Sequence, residues 1–256
     1  MLLSGEMLGS WVGSYMWTLI RITALITAAP VLGSRTIPVK VKLSIAIALT
    51  LVLVPVIPKA PAIDPLSGMA LFVTLHQVLI GIAMGFALQL VFAMFVVGGQ
   101  IIAYQMGLGF SQMVDPQSGM QVPVVSQFYI IVLTLVFFSF DGHLALVQVL
   151  ADSFVSMPLG TSGLNSDSYW ALIHWSAQMY SGAMQIALPA IASILLINLT
   201  FGVVTRSAPQ FNIFSIGFPI TIMMGFFVIM MTLSTVVSHI NTYLESAFAL
   251  MRALVS

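Results

Sequence analysis

The chain has 256 residues, of which 60% are apolar and only 5% are Asp, Glu, Lys or Arg, and its seven basic and seven acidic side chains leave no net charge. A soluble domain carries about 25% charged residues, so this chain lacks the polar surface to cover itself in water, and lipid or other protein must cover it. The absence of a basic patch argues against nucleic acid, and the absence of cysteine excludes disulfides, thiol chemistry and zinc–thiolate sites.

The first ten residues hold Glu6 and no Lys or Arg. A secretory signal starts with a basic region, so the first apolar run is expected to be retained. That run, Trp11 to Val31, is interrupted by Arg21. A turn-rich basic loop follows, with Arg35, Lys40 and Lys42. Leu43 to Ile57 is a second apolar segment, and the proline-dense stretch 58–65 after it must be a loop.

Leu66 to Tyr104 is a third apolar stretch without proline. At 1.5 Å per residue it reaches about 58 Å, against about 30 Å for a bilayer core. It must therefore break, bend or project, and Gly81, Gly85, Gly98 and Gly99 are the places for a bend or a close contact. Residues 105–123 are irregular. Val124 to Phe140 is a fourth apolar segment, ended by Asp141-Gly142-His143, and Leu144 to Met157 is a short fifth. After the polar loop Pro158 to Asp167 come two long apolar segments, Ser168 to Thr205 and Ile213 to Leu250. Their tight connection, Arg206 to Asn212, predicts a helical hairpin. Uniform apolarity favours helices over barrel strands, which alternate. The expected fold is an all-α integral membrane protein of long, bent helical hairpins.

Between Lys59 and Arg206 there is no Lys or Arg. Basic loops orient membrane spans, so the loop with Arg35, Lys40 and Lys42 is assigned to the cytoplasmic side. The silent middle has two readings: loops buried against protein partners, or short loops with weak orientation signals.

No catalytic constellation emerges. His76, His143, His174 and His239 lack the i, i+4 spacing of a helical metal pair, and no His-Glu-x-x-His is present. Gly107-Leu108-Gly109 is too short for a dinucleotide fingerprint. The chain is read as a non-enzyme with no cofactor and no metal. Arg21 is the one basic residue inside an apolar segment; it either makes a buried ion pair or polar contact that fixes subunit packing or snorkels to an interface. Gly5, Gly9 and Gly13, and then Gly81 and Gly85, recur every fourth residue, which lets helix backbones approach closely in lipid. Such a contact is either between subunits or within the chain. Met106, Met113 and Met120 cluster in the central irregular region beside Leu108 and Phe110. Adaptable apolar side chains among mobile glycines suit either a seal that closes by dewetting or an ordinary interfacial turn.

Four stretches carry a resemblance. They are Gln105 to Phe110 with Val114-Asp115-Pro116, Arg21 to Lys42, Phe140-Asp141-Gly142-His143-Leu144, and Ala208 to Phe214 with Gly217-Phe218-Pro219. In this order they resemble the FliR family of flagellar type III export-gate subunits. The C-terminal hairpin also resembles FliQ, through Pro189, Gly202, Gln210, Asn212 and Pro219. The resemblance implies a FliP-like part over 1–160, which includes a plug loop at 105–123, fused to a FliQ-like hairpin over 161–256. It implies assembly with FliP, FliQ and FlhB, among other export apparatus and basal body proteins, in the bacterial inner membrane within the flagellar basal body. Unfolded flagellar export substrates would pass through the assembly, and lipid would meet its outside. Met106, Gly107, Leu108, Gly109, Phe110, Met113 and Val114 become the plug candidates. Gly81, Gly85, Arg21, Pro189, Gly202, Gln210, Asn212 and Pro219 become subunit-packing candidates. Two alternatives stand beside this reading: the related injectisome subunit (SctT-type), and a secondary transporter of small solutes, which needs polar groups facing each other near the midplane.

Overall fold

The structure is a computed structural model that describes residues 5–64, 67–109, 123–207 and 217–255. Among these residues lie seven helices and no strand: α1 (Gly5–Ala28), α2 (Val39–Leu53), α3 (Gly68–Gln105), α4 (Val124–Ser139), α5 (Gly142–Ser156), α6 (Ser166–Ser207) and α7 (Phe218–Leu254). Three of them, α3, α6 and α7, are long and apolar enough to cross a membrane, or four spans arise if α4 and α5 form one broken span. The all-helical expectation therefore holds.

Local chemistry sets the ends. Pro58, Pro61 and the intervening residues form the irregular stretch that follows α2. Asp141 adopts a left-handed φ of 53° and its carbonyl accepts from the Leu144 and Ala145 N–H groups, at 2.8 and 3.0 Å. Asp tolerates that conformation, so Phe140-Asp141-Gly142 is a sharp break between α4 and α5. Pro219 stands in the first turn of α7, where a missing N–H is harmless. Pro189 lies inside α6 on its exposed side.

Two compact units divide the chain. One comprises Met1–Val91, Phe140–Ser176 and Leu244–Ser256, and the other Phe92–Ser139 and Ala177–Tyr243.

In the first unit α1 packs on the N-terminal half of α3. A Cβ at Gly81 would stand 2.5 Å from the Arg21 carbonyl oxygen and 2.7 Å from the Ala24 Cβ. One at Gly85 would stand 2.7 Å from the Ala28 Cβ and 2.8 Å from the Ala29 nitrogen. The two backbones touch because these positions lack side chains, which gains dispersion contact where water supplies no driving force. Trp17, Ile22, Ile80, Met84 and Leu88 fill the space around this crossing and are fully buried. The Trp17 indole N–H donates to the Thr74 hydroxyl at 3.2 Å. At the end of α1, Val31 takes a φ of 66° and the Gly33 N–H donates to the Ala29 carbonyl at 2.9 Å. Left-handed valine is strained, and the strain marks the tight reversal that leads into the basic loop.

In the second unit the expected glycine contacts recur. A Cβ at Gly99 would meet the Ser126 Cα at 2.6 Å, and the Ser126 hydroxyl donates to the Val96 carbonyl at 2.8 Å. Gly98 and Gly99 thus serve close contact, and α3 runs unbroken for 38 residues. Phe92 and Phe137 meet edge to face at 6.4 Å. α6 and α7 run antiparallel. The Tyr243 hydroxyl donates to Gln185 at 3.0 Å, and in the first unit the Ser168 hydroxyl donates to the Leu254 carbonyl at 3.1 Å. The predicted hairpin connection, Arg206 to Asn212, lies outside the described residues from 208 onward.

Candidate functional site

The central segment leaves α3 through a built helix end. The Leu108 N–H donates to the Ala103 carbonyl at 2.9 Å, and the Gly107 N–H to the Tyr104 carbonyl at 3.0 Å. Gly107 has a φ of 81°. These two bonds around one left-handed glycine form a Schellman cap, which satisfies carbonyls that the helix end would orphan. Met106, just before the glycine, is fully buried. It fills a notch on α7: a Cβ at Gly225 would lie 2.6–2.8 Å from Met106 Cγ, Cε and Sδ. Gly109 rests on the Tyr104 ring, 2.5 Å from its would-be Cβ to Cδ1. The four described residues of the predicted plug therefore form the anchored base of the segment. Phe110, Met113 and Val114 lie outside the described residues.

A cavity of about 360 Å³ opens beside this base, lined by Met106, Gly107, Asn198, Gly202, Phe218 and Thr221 among others. The Thr221 hydroxyl, part of the lining, donates to the Gly217 carbonyl at 2.9 Å. Gly202 has no atom within 4 Å of a would-be Cβ and opens onto the cavity. Gln210 and Asn212 lie outside the described residues.

Filling the Gly225 notch tests the anchor. Gly225→Ala is expected to lower the thermal midpoint by displacing Met106. Combined with Met106→Ala it should cost less than the two single changes added, because the double variant restores room. A thermal-unfolding double-mutant cycle on the purified protein with its partners reads this coupling, and strict additivity would refute the contact.

The first unit holds a polar node around Arg21, whose side chain is fully buried. Its Nε donates to Gln77 Oε1 at 2.7 Å. Its Nη1 donates to the Ser153 carbonyl at 2.8 Å, and its Nη2 to the Met157 carbonyl at 2.9 Å. The guanidinium carbon stands 4.3 Å from the Phe154 ring centroid. All of these partners are neutral. Two are carbonyls at the C-terminal end of α5, the negative pole of the helix dipole. A cation that caps a helix of its own fold avoids most of the desolvation cost of a lone buried charge. Arg21 therefore does not snorkel: its polar contacts are buried and lie within this chain. Its partners Gln77, Ser153 and Met157 were not singled out from sequence. Gln77, one of the few polar residues in an apolar stretch, was the visible signal.

The basic loop divides. Arg35 and Lys40 are exposed, whereas the Lys42 ammonium donates to the Gly33 carbonyl at 2.8 Å and holds the reversal after α1. Among the described residues no group of three His, Cys, Asp or Glu side chains is placed to hold a metal ion.

α6 and α7 present large apolar faces. The apolar windows of α6 and α7 are only 22% and 28% buried within the chain, against 67% for α3. Leu195, Leu199, Phe227 and Met230 all point outward. Faces of that kind need lipid or protein to cover them.

A family model described as Bacterial export proteins, family 1, matches residues 12–247. The chain is 38% identical over 216 residues to the flagellar biosynthetic protein FliR of Escherichia coli K12, spanning 84% of this chain and 82% of that protein. To the protein of that name from Pectobacterium carotovorum it is 36% identical over 241 residues, spanning 94% and 90%. To that of Bacillus subtilis 168 it is 26% identical over 247 residues, or 95% of each chain.

Proposed function

The chain belongs to the bacterial export proteins of family 1, a membrane-protein subunit of the flagellar export apparatus, and from that premise we propose that it helps form and close a conduit for unfolded export substrates. FliP and FliQ are its proposed neighbours in the assembly, with FlhB beside them, in the inner membrane within the flagellar basal body. Residues 1–160 act as the FliP-like part and 161–256 as the FliQ-like hairpin. It is a structural subunit that carries out no reaction.

The observation that supports the closing role most is the base of the central segment. Met106 is immobilised against Gly225, and Gly107 turns the chain out of α3 with a left-handed φ. A closing element needs a rigid anchor at its base. The family resemblance assigns the closing itself to Met106, Leu108, Phe110, Met113 and Val114, with Gly107 and Gly109 in the same loop. The exposed apolar faces of α6 and α7 supply the surface that partner subunits would cover. The flagellar reading is preferred to the injectisome one because the relatives named above are all flagellar.

Deleting Gly107 to Val114 should leave the assembly intact but make cells leak ions and small molecules. Co-purification of the partners, together with proton and potassium flux in energised cells, measures both. A deletion strain with a tight membrane and a full complex would refute the closing role.

A further inference from the structure

α2 has one face inside the fold and one outside. Ala46, Thr50 and Leu53 are buried, whereas Leu43, Ile47, Leu51 and Val52 are 45%, 44%, 58% and 66% exposed. The outward face is a continuous apolar stripe. Water does not cover such a stripe without cost, at about 25 cal/mol for each Å².

The charges around the stripe are of one sign. Arg35, Lys40, Lys42 and Lys59, four of the chain's seven basic residues, flank or begin α2, and no carboxylate occurs between Glu6 and Asp64. Lys42 is engaged with the Gly33 carbonyl. Arg35, just before α2, and Lys40, in its first turn, are exposed, and their side-chain charges have no ion-pair partner among the described residues; Lys59 is exposed beyond its end. A surface that covers this face must therefore be apolar in the middle and anionic at the edge. A bilayer containing anionic phospholipid has that arrangement, since acyl chains lie beneath phosphates and basic side chains extend to the headgroups.

We propose that the outward face of α2, together with Arg35 and Lys40, is a contact surface for anionic phospholipid, with the apolar stripe against acyl chains and the two cations on headgroup phosphates. This rests on the membrane assignment and not on the closing role of the central segment.

Because the chain has no cysteine, Ile47→Cys gives a single labelling position. The complex carrying a nitroxide at position 47 is reconstituted in nanodiscs of phosphatidylcholine and phosphatidylglycerol. A lipid contact gives strong relaxation by oxygen and weak relaxation by a water-soluble nickel chelate. Weak relaxation by both would mean that protein covers the face, and strong relaxation by nickel that water does; either result overturns the proposal. The second arm measures phosphatidylglycerol retained on the complex after delipidation. It should fall about fivefold for each of Arg35→Gln and Lys40→Gln, and excess inorganic phosphate should not displace it. Equal retention by wild type and the double variant, or displacement by free phosphate, would refute the headgroup contact. Neither arm uses substrate export, so a failed closing role would leave both results unchanged.

Discussion

Arg21→Ala is expected to destabilise the first unit by about 2–5 kcal/mol, from buried acceptors left without a donor and from the cavity left behind. The change orphans Gln77 Oε1 and the Met157 carbonyl, which now accept at 2.7 and 2.9 Å. A buried acceptor left without a donor costs about 1–3 kcal/mol. It also removes the cation from the Phe154 ring and leaves a cavity where the side chain was. Arg21→Lys should fall between the two, because an ammonium keeps the charge but cannot present the planar fork that reaches α3 and α5 together. The purified complex of each variant, followed by thermal unfolding, gives the order wild type, Lys, Ala. An alanine variant as stable as wild type would mean that the node does not hold α1, α3 and α5 together.

The second large effect is expected at Gly85. Leucine there would drive its Cβ into the Ala29 nitrogen and the Leu25 carbonyl oxygen, at 2.8 and 2.9 Å. Those are backbone atoms of α1 and cannot rotate away. Overpacking costs typically about 1–3 kcal/mol and sometimes more, and here relief requires α1 to lift from α3. Trp17 and Ile22 would lose their burial with it. The complex should then fail to accumulate, or should yield an N-terminal segment open to protease. Gly68→Leu is the matched control, since no atom lies within 4 Å of that position's Cβ within the chain. Protease protection of the α1 segment in Gly85→Leu equal to that of the control would show that the crossing tolerates a side chain.

Much of this was legible in the amino-acid order. Proline density fixed the loop after α2, and the unbroken apolar run marked α3 to within two residues at its start and one at its end. Four-residue glycine spacing pointed to close helix approach, and at Gly81 and Gly85 the backbone of α1 in the same chain lies opposite. The pattern could not name the partner, since spacing records the absence of Cβ atoms and not what lies opposite. Arg21 stood out as a charge in an apolar run, yet its partners are 56 to 136 residues away, and two of them are backbone carbonyls of α5. A carbonyl acceptor leaves no trace in residue identity. Gly225 was invisible for a similar reason: its role is to make room for Met106, and a single glycine in a long helix carries no periodic signal. The central segment was marked by composition, but only the backbone conformation separates its anchor, Met106, from the residues that follow Gly107.

The most direct test of the account uses the absence of native cysteine. Single cysteines are placed at Met113, on the central segment, and at Met230, on the outward face of α7, in cells where an export substrate is stalled in transit by a folded C-terminal domain. A cysteine in the unfolded part of the substrate should form a disulfide with position 113 and not with position 230. A bond to position 230 in place of position 113, or none to position 113 while the substrate is demonstrably stalled, would contradict the assignment of the central segment to the conduit.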